Sequence, residues 1–245
     1  MAELDIFKTV LFVGGFLLFS CLQYFFPYAG NVKDYKQRTI TNISLFLLNL
    51  VVTVVFVNII IKYSSNNLTI EHSFIYYLAV FLVLDVALYL WHRLNHVLPF
   101  LWRFHQVHHL DNLLSTTTAF RFHPVEIFIS PLFKIIFVWG LGMPLEIIVI
   151  HTAVVNFFSF YEHSNINLPK WAEKPVSLVF ITPNIHKIHH HPSRKNTDSN
   201  YGTILTIWDK IFATFNNDQH TEGFGIKGVK PENNLKNLLV FPFQK

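Results

Sequence analysis

Three stretches of the chain, Ile6–Phe26, Ile43–Ile61 and Phe74–Trp91, are apolar and almost free of charge, each close to the ~20 residues with which a helix spans a bilayer. They predict three membrane-crossing helices. Val125–Tyr161 is apolar too, but Pro131, Lys134, Gly140, Gly142 and Pro144 interrupt it. The pattern there predicts a helical hairpin, with one limb ending near Gly140 and the other running from Pro144 to about Glu162. That hairpin either spans as a pair or dips in and returns. Past His163 the chain turns polar, and Pro169–Thr182 reads as a connector on the membrane interface, anchored by Lys170, Trp171 and Lys174. Residues 216–245, rich in Asn, Gly and Lys, read as a soluble tail. The expected fold is an all-α, polytopic membrane bundle: one domain over 1–215, with a histidine-rich core at about 80–215.

Charge orients the bundle. The connection Tyr28–Asn42 holds Lys33, Lys36 and Arg38, whereas Lys62–Ser73 holds Lys62 alone, so the bias of short loops places Tyr28–Asn42 in the cytoplasm. If the second run goes out and the third returns, the segment from His92 onward, with Arg93, Arg103 and Arg121, emerges on that same side. Over the whole chain, 51% of residues are hydrophobic and 14% charged, against roughly 25% charged in an average soluble domain. This excludes a disordered arm, and the small net charge of +4 gives no indication of nucleic acid binding. The one cysteine, Cys21, permits neither an internal disulfide nor a thiolate cluster, so any metal must be held by nitrogen and oxygen.

Histidine is the outlier, at 14 residues. Three clusters recur: His92-x3-His96, His105-x2-His108-His109 and His186-x2-His189-His190. Positions i and i+4, or i with i+3 and i+4, share a helical face, so each cluster aims its imidazoles at a common point. Eight such ligands exceed the four or so of a single zinc ion, and two metals held between helices fit the count better. His72, His191 and His220 lack this spacing. Asp85 lies inside an apolar run, where a carboxylate is costly, and forms one stripe with Tyr89, His92 and His96. It is expected to accept a hydrogen bond from a ligand imidazole.

The ordered series resembles the membrane-bound fatty acid hydroxylase superfamily, often called the sterol desaturase family. It runs from Asp85-x3-Tyr89-x2-His92-Arg93-x2-His96 through Trp102-x2-His105-x2-His108-His109, Phe122-His123-Pro124-x-Glu126 and Glu162-His163-Ser164-Asn165 to Thr182-Pro183-x2-His186-x2-His189-His190. It closes on Asp198-x-Asn200-Tyr201-Gly202 and Ile207-Trp208-Asp209-Lys210, a tail most similar to the branch containing alkylglycerol monooxygenase and its bacterial relatives.

The resemblance implies a helical membrane enzyme with two histidine-ligated irons just under the cytoplasmic face. It would use O2 and two electrons to hydroxylate or desaturate a C–H bond of a lipid. It assigns the ligand role to His92, His96, His105, His108, His109, His163, His186, His189 and His190. Family members that carry a second histidine four residues before His163 would have it at Ser159, leaving His123 and His151 as candidates for a tenth ligand. Asp111, Glu126, Glu162 and Asp198 are expected, with Asp85, to orient the ligand imidazoles.

With one cysteine and no Gly-x-Gly-x-x-Gly, electrons must come from a separate donor: a reductase, a ferredoxin or a cytochrome b5-like protein. The competing reading is a zinc-dependent membrane lipid hydrolase, with zinc as the resident metal, although the His-Glu-x2-His motif such enzymes commonly use is absent.

Overall fold

A computed structural model describes residues 2–28, 35–63, 73–218 and 223–244. It is helical throughout, and among the described residues no strand forms beyond two isolated bridges, Pro27 to Ile166 and Phe180 to Leu205. The helices are α1 (Ala2–Thr9), α2 (Gly15–Phe25), α3 (Tyr35–Tyr63), α4 (Phe74–Val97), α5 (Pro99–His109), α6 (Pro124–Gly140), α7 (Leu145–His163), α8 (Lys170–Val176), α9 (Pro183–His189), α10 (Arg194–Thr197), α11 (Ile207–Ile211) and α12 (Leu235–Val240). A π-helical turn, Val10–Gly14, joins α1 to α2, so the first span runs unbroken over Glu3–Phe25. Among the described residues four helices are long and apolar enough to cross a membrane: that span, Tyr35–Val54, Phe74–Val97 and Leu145–His163. The interrupted stretch is indeed a hairpin, α6 and α7, turning at Gly142 with φ +56°. Pro131 sits inside α6 without ending it.

Proline marks where the chain folds back. Leu98 is extended, as a residue before proline prefers, and Pro99 takes the first turn of α5, where its missing N–H costs nothing. The same device opens α6 at Pro124 and α9 at Pro183, where the side chains of His123 and Thr182 cap Val125 N–H and Ile185 N–H. α4 and α5 thus form a V whose vertex lies just beyond His96, and α9 is held against the end of α7.

α3 begins at Tyr35, eight residues before the apolar run that announced it. One face of its polar first turns is buried rather than solvated: Arg38, Thr41 and Asn42 pack against the histidine-bearing end of the bundle, while Tyr35, Lys36 and Gln37 stay exposed. Arg38 makes a fully buried bidentate pair with Asp111, at 2.6 Å from Nε to Oδ1 and from Nη2 to Oδ2. The start of α3 therefore shares one end of the molecule with the histidines. Lys33, His72 and His220 lie outside the described residues.

The apolar core has three parts. Val80, Leu84, Val138, Met143, Ile147 and Ile148 join α4 to the hairpin; Phe19, Phe160 and Ile166 join α2 to α7; Leu45, Val107, Leu110 and Leu238 sit under the histidine-bearing cap. Leu238 belongs to α12, in the stretch that reads as a soluble tail, so 223–244 lies docked on the cap. The Arg121 side chain fastens it there, donating to the Glu232 carbonyl while also bonding Asn42 Oδ1.

Candidate metal centre

Nine imidazoles converge at this end in two groups, His92, His96, His105, His109 and His189 in one and His108, His163, His186 and His190 in the other. Within each group the ligand atoms lie within 4.8 Å of one another. The V of α4 and α5 sets His92 and His96 against His105 and His109, while α7 delivers His163 and α9 crosses both. The triplets do not each aim at a single point, as their spacing alone suggested. On α5, the i and i+4 residues His105 and His109 face one group and His108 faces the other; along α9 and its C-terminal cap, His186 and His190 face the second group and His189 the first. Residues i+3 and i+4 differ by about 100° around a helix, so one short helix can serve two neighbouring centres.

Each group has bare nitrogen where a metal would sit. In the first, Nδ1 of His92 bonds Tyr201 O at 2.8 Å, Nδ1 of His105 bonds Glu126 Oε1 at 2.8 Å, and Nδ1 of His189 bonds Ser199 O at 2.7 Å; Nδ1 of His96 lies 3.4 Å from Asp198 Oδ1. The Nε2 atoms of all four are buried with no partner, as are both nitrogens of His109. In the second, Nδ1 of His108 meets Arg121 O at 3.2 Å and Nδ1 of His163 meets Ser159 O at 2.7 Å, while their Nε2 atoms face each other at 3.0 Å. A carbonyl only accepts, so both Nδ1 atoms carry the proton and two Nε2 lone pairs point together. Such an arrangement is repulsive unless a cation lies between them. Nε2 of His186 stands 3.0 Å from that of His163, and Nε2 of His190 stands 3.1 Å from that of His186, which closes the second group.

Burial keeps the rings in the ligand form. Removal from water, followed by repulsion from neighbouring imidazoles, holds His108, His109, His186 and His190 well below the ordinary histidine range, and burial pushes His189 down to about 3. Neutral imidazole offers its lone pair at neutral pH.

The expected carboxylates divide. Glu126 and Asp198 reach imidazole Nδ1 atoms as described, and Glu162 lies 3.6 Å from Nδ1 of His163 and 3.5 Å from Nδ1 of His186. Asp85 does not touch an imidazole: it stands seven residues before His92, ~10 Å along the helix, and accepts the Trp208 indole N–H at 2.7 Å. Asp111 is corrected likewise, because its oxygens take Arg38 and the Thr118 hydroxyl at 2.8 Å. Burial acts to raise its pKa, but the Arg38 and Arg121 guanidinium groups outweigh that and hold the carboxyl below its usual range.

Neither candidate for a tenth ligand joins a group. His123 uses both ring nitrogens, Nδ1 for Val125 N–H at 3.1 Å and Nε2 toward Leu239 O at 3.1 Å. His151 stands twelve residues before His163, ~18 Å along α7. Ser159 supplies His163 with a carbonyl instead of a second imidazole.

Several supports escaped sequence reasoning because they are backbone carbonyls, those of Tyr201, Ser199, Arg121 and Ser159. The loop carrying the first of them is fixed by Asp209, which accepts Tyr201 N–H at 2.8 Å and Gly202 N–H at 2.9 Å. A Cβ on Gly202 would stand 2.8 Å from Leu205 O and 2.9 Å from Asp209 Oδ2, so only glycine fits. The motif residues Gly202 and Asp209 therefore act at one remove, by fixing the loop that holds His92, while Trp208 ties α11 to Asp85 of α4.

Comparison with known proteins agrees with this geometry. The sequence pattern of the family described as fatty acid hydroxylase matches residues 77–214. Ornithine lipid hydroxylase OlsE of Rhizobium tropici is 37% identical over 139 residues, 55% of this chain and 40% of that protein. Alkylglycerol monooxygenase of Homo sapiens is 30% identical over 167 residues, 67% of this chain and 36% of that one. Cholesterol 25-hydroxylase of Homo sapiens is 34% identical over 137 residues, 54% and 48% respectively. The chain spans less than half the length of these curated relatives. No solved structure matches it.

Proposed function

The chain belongs to the fatty acid hydroxylase family, and on that premise we propose that it is an integral-membrane enzyme that oxidises a C–H bond of a lipid. The reaction is hydroxylation, with desaturation as the variant outcome. The ligands are the nine imidazoles of the two groups, and the resident metals are two irons. Once bound, these would supply the capacity to use O2 and two electrons against an unactivated C–H bond, one oxygen atom entering the lipid and the other leaving as water. The observation that carries this reading is the set of converging, unprotonated Nε2 atoms, whose lone pairs only cations can reconcile.

Iron suits the donor set, since five imidazoles in one group exceed the four ligands of an ordinary zinc site. A zinc hydrolase would instead need a general base aimed at an attacking water, whereas Glu126, Glu162 and Asp198 lie against ring Nδ1 atoms.

The chain's own residues do three things. Glu126, Asp198 and the four carbonyls hold Nδ1 of six of the nine rings, those of His92, His96, His105, His108, His163 and His189, and with it the direction of their Nε2 atoms. Burial under α5, α9 and the 198–202 loop keeps water from the oxidising centre. The apolar spans let a lipid chain approach from the bilayer. The excess of Lys and Arg over Tyr28–Asn42, whose Tyr35–Asn42 part opens α3 at the cap's end, favours a cytoplasmic cap. Electrons reach it from a separate reductase, ferredoxin or cytochrome b5-like protein.

A lipid mass-spectrometry survey of cells with and without the protein tests the reading. A lipid that gains one oxygen, or loses two hydrogens, only where the protein is present supports it. Unchanged lipid oxidation in cells carrying metal-loaded protein and an electron donor would reject it.

A further inference from the structure

Between α4, α6 and α7 lies a cavity of about 130 Å3, open to the outside of the bundle along exposed Thr152 and lined also by Leu84, Trp91, Ser130, Lys134 and His151 among others. Its polar groups are unusual among apolar spans. His151 is 2% exposed and neither ring nitrogen has a partner. Lys134 Nζ donates to Thr152 Oγ1 at 3.0 Å, and that hydroxyl donates onward to Ile148 O at 2.7 Å, so the lysine retains N–H groups to offer. Among the described residues no acid lines the cavity. The site is therefore rich in donors and short of acceptors, with a half-buried cation between apolar helices, where charge is costly unless matched.

The cavity also adjoins the metal-holding end. Trp91 is the neighbour of His92 on α4, and Ser130 lies one turn beyond Glu126, whose carboxylate holds His105. Its volume is well below the ~300 Å3 of pockets that enclose whole drug-sized ligands, which suits one end of a chain and not a diacyl headgroup.

Resting on the oxidative reading above, we propose that Lys134 and His151 form a carboxylate subsite that holds the acidic end of a single-chain lipid within the bundle. The carboxylate neutralises the lysine, accepts from the imidazole N–H, and sets the position of oxidation by counting carbons from that end.

The test uses the full, metal-loaded chain in phosphatidylcholine nanodiscs, without reductant, and follows binding of radiolabelled palmitate with hexadecanol as competitor. Expected are saturable palmitate binding, about tenfold weaker competition by hexadecanol, and about tenfold weaker palmitate binding in Lys134→Met and His151→Leu, with recovery in Lys134→Arg. Metal content should be unchanged in all three. Equal competition by hexadecanol, undiminished binding in Lys134→Met, or metal lost from His151→Leu would overturn the subsite. The wild-type competition decides the matter even if a variant fails to fold. Because binding is read without turnover, a subsite that binds palmitate in a protein that oxidises no lipid would overturn the oxidative reading alone.

Discussion

The cap and the mid-bundle cavity both bury histidine, and they treat it differently. In the cap, Nδ1 of His92, His105, His108, His163 and His189 is tied to an oxygen while Nε2 points at other imidazoles. At His151 neither nitrogen is tied, and the ring faces a cavity and the edge of Phe81. Burial is common to both and so says little. Where one nitrogen is held and the other is aimed at its fellows, tautomer and direction are both fixed, as a ligand needs; His109, with neither nitrogen tied, is placed instead by the imidazoles packed around it. An imidazole with two idle nitrogens beside a lysine waits for an acceptor instead.

The sharpest way to break this comparison is to delete one ligand from each group. His189→Ala should strip metal from the first group and His108→Ala from the second, each abolishing turnover, as measured by metal per chain and product formation. Retention of full metal and activity in either would remove that residue from the centre.

Next in size is Arg38→Ala, which leaves the Asp111 carboxylate buried and unpaired at a cost of ~3–5 kcal/mol. Thermal unfolding should move down markedly, with metal content of the folded fraction unchanged. Metal loss without destabilisation would return Asp111 to the imidazoles.

Glu126→Gln is milder, since the amide oxygen still accepts from His105 Nδ1 but without charge. Metal affinity should fall by about 10–100-fold, the usual range for such partners, as read by competition with a chelator. The smallest effect belongs to Asp85→Asn, because the new amide oxygen still accepts the Trp208 indole. A change of about 1 kcal/mol or less in stability is expected, with no loss of metal. A metal deficit there would mean that Asp85 reaches an imidazole after all.

Much of the cap was legible because metal ligation needs particular residue types at helical spacing. Eight of the nine converging imidazoles followed from three clusters, and His163 from its place in the family series. Their division into five and four was not legible, since it depends on how α5 and α9 cross, which the pitch of one helix does not reveal. The carbonyl partners left no trace in side-chain chemistry, although Gly202 and Asp209 mark the loop that presents one of them. Hydropathy found the spans and the hairpin but began α3 late, because Arg38, Thr41 and Asn42 are buried by polar pairing and not by apolarity. The stripe from Asp85 to His96 is real as a helical face, but a carboxylate two turns away met an indole first.

The central claim is that two centres form from nine imidazoles and hold iron. The most direct test is iron and zinc per chain in protein purified without air from iron-supplied cells, wild type beside His189→Ala. One iron for each of the two groups, reduced in the variant and oxidised when O2 is admitted, is the predicted result. Tightly held zinc that iron cannot replace, with no response to O2, would contradict it.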